Sequence, residues 1–470
     1  MTDGKIHTAP RTCRSMQKAI DALSGKQILV VGLAGTGLAV CRFLSRCGAL
    51  VTGTDATAAA SIPGAQALDA IGVELKTGGH QGIDTKAFSM AVVSPGVPSD
   101  IPLLKELRAN GAEVISDIEL AYRYIGSPVI AVAGTNGKTT TTTLLGKVLE
   151  DAGVKVFVGG NIGTPAVECV EAGDDIDVCL LEISSFHLEN TRSFNPHIGI
   201  LLNITEDHLD RYEGFGHYAA TKFRLFENQT AGDYAVVNIN DPVIAQRLSA
   251  EGLGRGKVVL FAVAGALAEG LFLRGGDVVY SLSGVEETYP VSEFGLKGLH
   301  NIENIMAVIA SARISGVGRD SIMATLREFK GLHHRMELVR TLNGVAYIDD
   351  SKGTNIGSLV MALRGLAGRA VLIAGGRDKG GDYAVLADLV REKVKCLILL
   401  GEARFKMKDA LGALTETVLV ESLEEAVALS SRKAEAGDTV LLCPACSSFD
   451  MFKSYKERGE RFRAFVEALC

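Results

Sequence analysis

The chain of 470 residues has no apolar run long enough to cross a bilayer, and its first residues lack a continuous signal-peptide core. Insertion into a membrane and export are therefore not expected, and a cytoplasmic location is. An excess of positive charge is also missing: 48 Lys and Arg stand against 55 Asp and Glu, a formal net charge of −7. Nucleic acid is excluded as a general partner, and any contact with a polyanion must be local. Nine cysteines form no dense framework, which points to buried thiols in a reducing compartment. A redox or metal role for Cys443-Pro-Ala-Cys446 would need a thioredoxin-like setting or a second Cys pair at ligand spacing. The sequence shows neither, so these are read as structural cysteines.

What the chain does have is apolar content, 47% against 22% charged residues, enough for roughly three domains at about 150 residues each. Residues 1–25 are polar and irregular, with Met16 a possible alternative start, and read as a poorly structured leader. From 26 to 116, strands at 28–31, 50–53, 91–93 and 113–115 alternate with helical spacing, the signature of a parallel sheet with crossover helices. A second series, 117–331, opens with a helical segment ending before Pro128 and continues with strands at 129–133, 178–181, 198–203 and 234–238. Short apolar runs broken by Gly275-Gly276 and Gly284 make 258–291 read as antiparallel strands before a helix beginning near His300. Strands at 345–348, 370–374, 396–400 and 439–443 form a third α/β series, 332–470.

The most informative segment is Val129-Ile-Ala-Val-Ala-Gly-Thr-Asn-Gly-Lys-Thr-Thr140, an apolar strand feeding a glycine turn with a lysine and two hydroxyls. Gly134 and Gly137 let amide N–H groups face a ligand, Lys138 adds charge, and Thr139 can ligate magnesium at the start of the next helix. Val132 stands where the usual phosphate loop has glycine, so the match is to a shorter variant; a plain strand-to-helix turn is the bland alternative. Gly32-Leu-Ala-Gly-Thr-Gly37, with Asp55 ending the next strand, resembles a dinucleotide-binding unit, although its glycine order supports a diphosphate at a helix start more firmly than a nicotinamide. A tight turn that binds nothing is the alternative, and Ser94-Pro-Gly96 stands where it would close such a pocket.

Leu181-Glu-Ile-Ser-Ser-Phe186 and Asn203-Ile-Thr-Glu-Asp-His-Leu-Asp210 put Glu182 and His208 at strand ends near the phosphate loop. Oxygen ligands suit magnesium, so Glu182 fits a metal better than His208, for which a structural role competes. Lys222, on an amphipathic helix, would ordinarily be solvated. In the third domain Asp349-Asp-Ser-Lys-Gly-Thr354 and Gly375-Gly-Arg-Asp-Lys379 are charged loops after strands, able to hold a carboxylate or phosphate with Lys352, Thr354 and Lys379, or simply solvated turns. Ser447-Ser448 follows the last strand, before a helix rich in Phe, Lys and Arg.

The order of these motifs, with Gly160-Asn-Ile-Gly163, His300-Asn-Ile-Glu-Asn304, His334-Arg335, Asn355 and Pro444-Ala-Cys-Ser-Ser-Phe-Asp450, resembles the Mur ligases from about residue 26 to the C-terminus. The last two motifs, and the absence of Asp-Asn-Pro-Arg, favour the branch that adds D-glutamate. The resemblance implies three domains: a Rossmann-like N-terminal domain, a central ATPase-like mixed α/β domain and a Rossmann-like C-terminal domain. It implies ATP-dependent amide ligation in cytoplasmic peptidoglycan precursor synthesis, with UDP-N-acetylmuramoyl-L-alanine and D-glutamate as substrates and an acyl phosphate between them. The alternative is another Mur-type or folylpolyglutamate-like ligase; a nicotinamide-dependent oxidoreductase accounts for the first domain only.

By the same resemblance Gly134, Thr135, Asn136, Gly137, Lys138, Thr139, Thr140, Asn304, Arg335 and Asp350 belong to ATP. Gly35, Thr36, Asp55, Gly96, Asn161 and Ser184 belong to the UDP-sugar, and Thr354, Lys379, Ser448 and Tyr455 to D-glutamate. Lys138, His208, Lys222 and Lys352 carry catalysis. Two magnesium sites, open also to manganese, use Thr139, Glu182, His208 and Lys222, the last as a carbamate. The chain departs from the family pattern at His187, Tyr455 and Ala56. A monomer is expected, with the third domain closing on the second about a hinge near 331–334.

Overall fold

A computed structural model describes residues 13–469 apart from Asp210 and Ala367. Its first sheet comprises β1 (Gln27–Val31), β2 (Leu50–Asp55), β3 (Glu74–Thr77), β4 (Met90–Val93) and β5 (Glu113–Ser116), all parallel in the order β3-β2-β1-β4-β5. Helices cover both faces, so β4 is buried along its whole length and β1 at all but its first residue. The strand order reverses between β1 and β4, and ligand clefts of open α/β sheets form outside such a reversal.

The second sheet holds β6 (Val129–Ala133), β7 (Val156–Gly160), β8 (Val178–Glu182), β9 (Ile198–Leu201), β10 (Tyr234–Asn238), β11 (Lys257–Ala262), β12 (Gly270–Arg274), β13 (Asp277–Leu282) and β14 (Val285–Tyr289). Its order is β14-β13-β12-β11-β10-β9-β6-β8-β7. The phosphate strand β6 therefore lies between β9 and β8, whose carboxyl ends carry the His208 and Glu182 motifs. Helix Leu299–Ile314, buried from Asn304 to Ala312, packs on helix Lys138–Asp151 in one apolar core and so presents Asn304 to the phosphate loop.

The third sheet contains β15 (Glu337–Leu342), β16 (Val345–Asp349), β17 (Ala370–Gly375), β18 (Val394–Leu400), β19 (Glu416–Leu419) and β20 (Thr439–Leu442), in the order β15-β16-β20-β17-β18-β19. Only the β15–β16 pair is antiparallel. Among the described residues no helix is long and apolar enough to cross a membrane.

Two readings of the sequence need correction. The leader is not irregular where it is described: Arg14–Leu23 is a helix that buries Ser15, Ala19 and Leu23, and residues 1–12 lie outside the described residues. Its start is tied to the central domain, with Arg14 N and Ser15 Oγ donating to Asp174 at 2.8 and 3.1 Å. Met16, Ala19, Ile20 and Leu23 recur at the three- and four-residue spacing of one helix face, a pattern masked by the polar residues between them. The stretch 258–291 is not wholly antiparallel either. β11 pairs parallel with β10, β12 pairs parallel with β11, and only β12-β13-β14 form a meander. The glycine turns at 275–276 and 284 explain the meander, whereas the continuous apolar run before them marks a strand inside the sheet.

The domains meet through polar seams. Ser116 N donates to Asn190 O at 3.0 Å, and Arg108 Nη2 to Asn190 Oδ1 at 2.8 Å, joining the first domain to the second. On the other side Asn355 Nδ2 donates to Asp207 Oδ2 at 3.0 Å, Ser358 Oγ to Asn136 Oδ1 at 2.9 Å, and Lys379 Nζ lies 3.3 Å from Asp207 Oδ1.

Candidate active site

The phosphate loop is shaped by two glycines at positive φ, Gly134 at 151° and Gly137 at 84°. A Cβ at Gly137 would collide with Asn304 Oδ1, so glycine is required where the helix Leu299–Ile314 touches the loop. Asn203 Oδ1 accepts from Asn136 N at 2.8 Å, and Thr135 Oγ1 lies 3.0 Å from Tyr218 OH, fixing the loop from β9 and from the helix Phe215–Phe223. Helix Lys138–Asp151 then begins at Gly137 without a side-chain cap, and the start of such a helix suits an anion.

Lys138 Nζ folds back to donate to Gly134 O and Thr135 O, both at 2.8 Å. Lys222 Nζ donates to the same Gly134 carbonyl at 2.9 Å, so the lysine expected to be solvated is buried, 2% exposed, beside the loop lysine. Burial and the neighbouring Lys138 charge push Lys222 well below the usual ammonium range. Tyr218 covers it, its ring centre 4.7 Å from Nζ.

Glu182, 1% exposed at the end of β8, accepts from Asn161 Nδ2 at 2.8 Å through Oε1, while its buried Oε2 has no hydrogen-bond partner. A buried carboxylate oxygen without a donor fits a cation, and oxygen is the ligand type that suits magnesium. His208 stands at positive φ, 54°, with Nε2 3.6 Å from Asp207 Oδ2 and its ring edge-on to Phe186 at 4.8 Å. Burial pushes Asp207 upward, but Lys379, His208, Asn355 and Lys138 outweigh it and hold it below the usual carboxylate range.

A cleft of about 680 Å³ opens between the second and third domains, lined by Asn136, Gly137, Thr140, His208, Asn304, Arg335, Asp350 and Lys379 together with apolar Leu296, Leu299, Met336 and Val360. Burial raises Asp350 to about 7 although Cys443 Sγ donates to it at 3.1 Å and Arg335 lies near, which explains one cysteine of the Cys443/Cys446 pair as a structural donor. Lys352 is pushed down to about 8, first by burial and then by Arg335, with Lys138 and Lys379 adding to the effect and Glu182 opposing it. Its Nζ lies 4.1 Å from the Tyr455 ring centre. Thr354, Ser448 and Tyr455 do not line this cleft. Thr354 N donates to Lys352 O at 2.8 Å, and Ser448 is buried with its carbonyl accepting from Met451 and Phe452.

A second cleft, about 700 Å³, opens at the β1/β4 reversal and is lined by Gly35, Thr36, Asp55, Gly96 and Asn161. Each Asp55 oxygen accepts one backbone bond, from Leu33 N at 2.7 Å and Thr57 N at 2.8 Å, so this side chain braces the glycine turn while still lining the cleft. Ser94 Oγ donates to Gly32 O at 2.7 Å and closes the pocket from the next strand. Asn161 lines this cleft and bonds Glu182, so it joins the two sites. Ser184 lines neither cleft; it caps the short helix Ser185–Leu188, with His187 Nδ1 2.8 Å from its Oγ.

The chain matches the Mur ligase MurD-like N-terminal domain over residues 26–116, the Mur ligase middle domain over 132–312 and the Mur ligase glutamate ligase domain over 334–446. It is 49% identical over 448 residues to the UDP-N-acetylmuramoylalanine--D-glutamate ligase of Geotalea uraniireducens, covering 95% of this chain and 98% of that one. The chain belongs to the Mur ligase family. A second relative of the same name, from Pelotomaculum thermopropionicum, is 45% identical over 448 residues, covering 94% of this chain and 98% of its own.

Among solved structures it resembles a pseudomurein peptide ligase type C from Methanothermus fervidus, with a TM-score of 0.59 at 21% identity over 94% of this chain and 99% of that one. It also resembles a UDP-N-acetylmuramate-alanine ligase from Thermotoga maritima, with a TM-score of 0.58 at 20% identity over 94% and 99%. This likeness concerns the fold. As a Mur ligase the chain is an ATP-dependent enzyme forming a C–N bond, a family that usually works with magnesium. The nicotinamide reading of the first glycine turn is thereby overturned.

Sequence reasoning missed the partners that set these residues in place. Asn203, Asp207 and Asn355 lie within the quoted motifs, yet His208, Lys352 and Thr354 drew the attention as chemically louder neighbours. Tyr218 carries no motif at all.

Proposed function

We propose that this Mur ligase joins D-glutamate to UDP-N-acetylmuramoyl-L-alanine, with ATP consumed to ADP and phosphate, in the cytoplasmic synthesis of peptidoglycan precursor. The observation that carries the reading is the convergence of cations from two domains on one region: Lys138 and Lys352 each lie within electrostatic reach of Arg335, Lys379 and Glu182, and Lys379 Nζ lies 3.3 Å from Asp207 Oδ1. Beyond the Lys379–Asp207 contact at the domain seam such a cluster costs stability, since like charges held together repel. It suits a reaction that gathers a triphosphate and two carboxylates.

A carboxylate is a poor electrophile. The nucleotide-sugar carboxylate oxygen attacks the γ-phosphorus, the bond to the β–γ bridging oxygen breaks, and ADP leaves. The amine of D-glutamate then attacks the acyl carbon, expelling inorganic phosphate and losing a proton. Lys138 and the N-terminus of helix Lys138–Asp151 hold the phosphates in this reading, Asn304, Arg335 and Asp350 bind ATP, and Lys352 neutralises charge spreading over the transferred group. The UDP moiety occupies the second cleft with Gly35, Thr36 and Gly96, while Asp55 keeps that turn in shape. Thr354, Lys379, Ser448 and Tyr455 supply the D-glutamate side. Thr139 and Glu182 would hold one magnesium, and His208 with Lys222 as a carbamate a second. Bound there, magnesium supplies charge neutralisation at the phosphates.

The test is phosphate release from ATP with UDP-N-acetylmuramoyl-L-alanine and each candidate amino acid in turn. D-glutamate alone should support turnover, and equal rates with diaminopimelate or L-alanine would assign another member. With both oxygens of the sugar-linked carboxylate labelled, one label should appear in the released phosphate and the other stay in the amide carbonyl; phosphate released without label would refute the acyl phosphate.

A further inference from the structure

Arg211 follows the His208 loop in sequence, yet its guanidinium reaches into the first domain. Nη1 donates to Pro95 O at 2.7 Å and Nη2 to Val97 O at 2.9 Å, two carbonyls flanking Gly96 in the turn that walls the second cleft. Nη2 also lies 3.0 Å from Glu189 Oε2, in a pair of which the two side chains are only 13% and 10% exposed. Glu189 in turn accepts from Ser99 Oγ, two residues beyond the same turn. The guanidinium carbon lies over Phe186, 3.8 Å from the ring centre, and Phe186 packs edge-on against His208 at 4.8 Å. One side chain thus touches the wall of the sugar-nucleotide cleft and, through a single ring, the histidine facing the ATP cleft.

We propose that Arg211 is a positioning residue that fixes the distance between the two clefts, so that a substrate anchored by its nucleotide in one presents its carboxylate in the other. This rests on the reading of the protein as a nucleotide-sugar ligase. Its planar fork is what allows two carbonyls, a carboxylate and a ring face to be engaged at once, which an ammonium cannot do. Misplacing the reacting carboxylate by even about an ångström is enough to cost about 100-fold in rate. The turn itself has its own support, Ser94 Oγ on Gly32 O at 2.7 Å and Val97 N on Ser94 O at 3.0 Å, so the cleft for the nucleotide alone survives loss of the arginine.

The experiment compares wild type with R211A and R211K, measuring UDP affinity by calorimetry, kcat/KM for UDP-N-acetylmuramoyl-L-alanine, and KM for ATP. R211A should lose at least about 30-fold in kcat/KM for the nucleotide sugar, with UDP affinity and KM for ATP within about threefold of wild type. R211K, which keeps one carbonyl bond and the contact to Glu189, should lose about fivefold and so tests the idea even if R211A does not fold. A wild-type kcat/KM in R211K overturns the proposal, as does a fall in UDP affinity that accounts for the whole loss in R211A. If wild type itself binds no UDP, the functional reading falls and this inference with it; if wild type binds UDP and the variants match it in every parameter, only the inference falls.

Discussion

Replacing Lys222 by alanine separates two reasons for a lysine to be buried at this point. The side chain is 2% exposed and donates one hydrogen bond to Gly134 O at 2.9 Å. Removing three methylenes at about 0.8 kcal/mol each and one hydrogen bond of about 1 kcal/mol costs roughly 3 kcal/mol of stability. A domain stable by about 5–15 kcal/mol remains folded after such a loss, so unfolding cannot abolish its activity. Were the lysine only structural, turnover should therefore persist.

The electrostatics point the other way. Burial and Lys138 both disfavour an ammonium at this position, so a larger fraction of Lys222 is neutral than for an ordinary lysine, and each unit of downward shift raises that fraction tenfold. A neutral amine adds to carbon dioxide: the nitrogen–carbon bond forms, a carbonyl pair moves to oxygen, and a proton leaves. The anion so produced is attracted by Lys138, where the ammonium was repelled, and offers oxygen to a metal. On this argument Lys222→Ala lowers kcat by about 100-fold or more, on the scale of losing one preorganised electrostatic partner. Steady-state phosphate release measures it, and small carboxylates such as formate or acetate should restore part of the rate by filling the vacated space. Wild-type turnover in the alanine variant refutes the reasoning.

Lys138→Ala should abolish ligation while leaving the thermal transition nearly unchanged, because its bonds to Gly134 O and Thr135 O lie in a loop outside the core; near-normal turnover would remove that loop from the mechanism. Lys352, lowered to about 8, is charged below that pH and neutral above it, so kcat/KM should fall as pH rises through about 8, and Lys352→Arg should move that limb upward because arginine stays protonated. An unmoved limb would assign the titration elsewhere. Glu119, fully buried, accepts from Arg192 N, Phe194 N, Ser193 Oγ and Arg123 Nε at 2.6–3.0 Å, so Glu119→Ala should lower stability by about 3–5 kcal/mol in urea unfolding. Its carboxyl is held below the ordinary range: burial raises it, but these donors prevail. Its contribution is therefore full at neutral pH and lost as pH falls through the depressed value, and a variant as stable as wild type at pH 7 would contradict this. Asp207→Asn removes the charge that Lys379 and Asn355 meet across the domain seam and should increase the radius of gyration measured by X-ray scattering; an unchanged radius would show that the seam is held by other contacts.

How much of this was legible in the sequence follows from the kind of interaction involved. Buried parallel strands announce themselves, because both faces demand apolar residues: β10 was read at its observed bounds, and β8 and β17 to within one residue. The edge strands β3 and β19 were missed, since neither fully buries a residue and the sequence of each, Glu-Leu-Lys-Thr or Glu-Thr-Val-Leu, is one that a loop could equally carry. Within the site, backbone-driven features were readable because only glycine permits them, whereas contacts made across the chain were not. Lys222 illustrates the limit. On its helix it is one amphipathic lysine among the chain's others, and what makes it chemically unusual is Gly134, 88 residues away, together with a second lysine on the same carbonyl. Asp55 illustrates the converse: its position at a strand end points to a ligand, and the structure shows each of its oxygens also accepting a backbone N–H, from Leu33 and Thr57, so it braces the turn as well as lining the cleft. A motif therefore fixes which residues gather at a strand end, and the long-range hydrogen bonds decide which of them are left to meet a substrate.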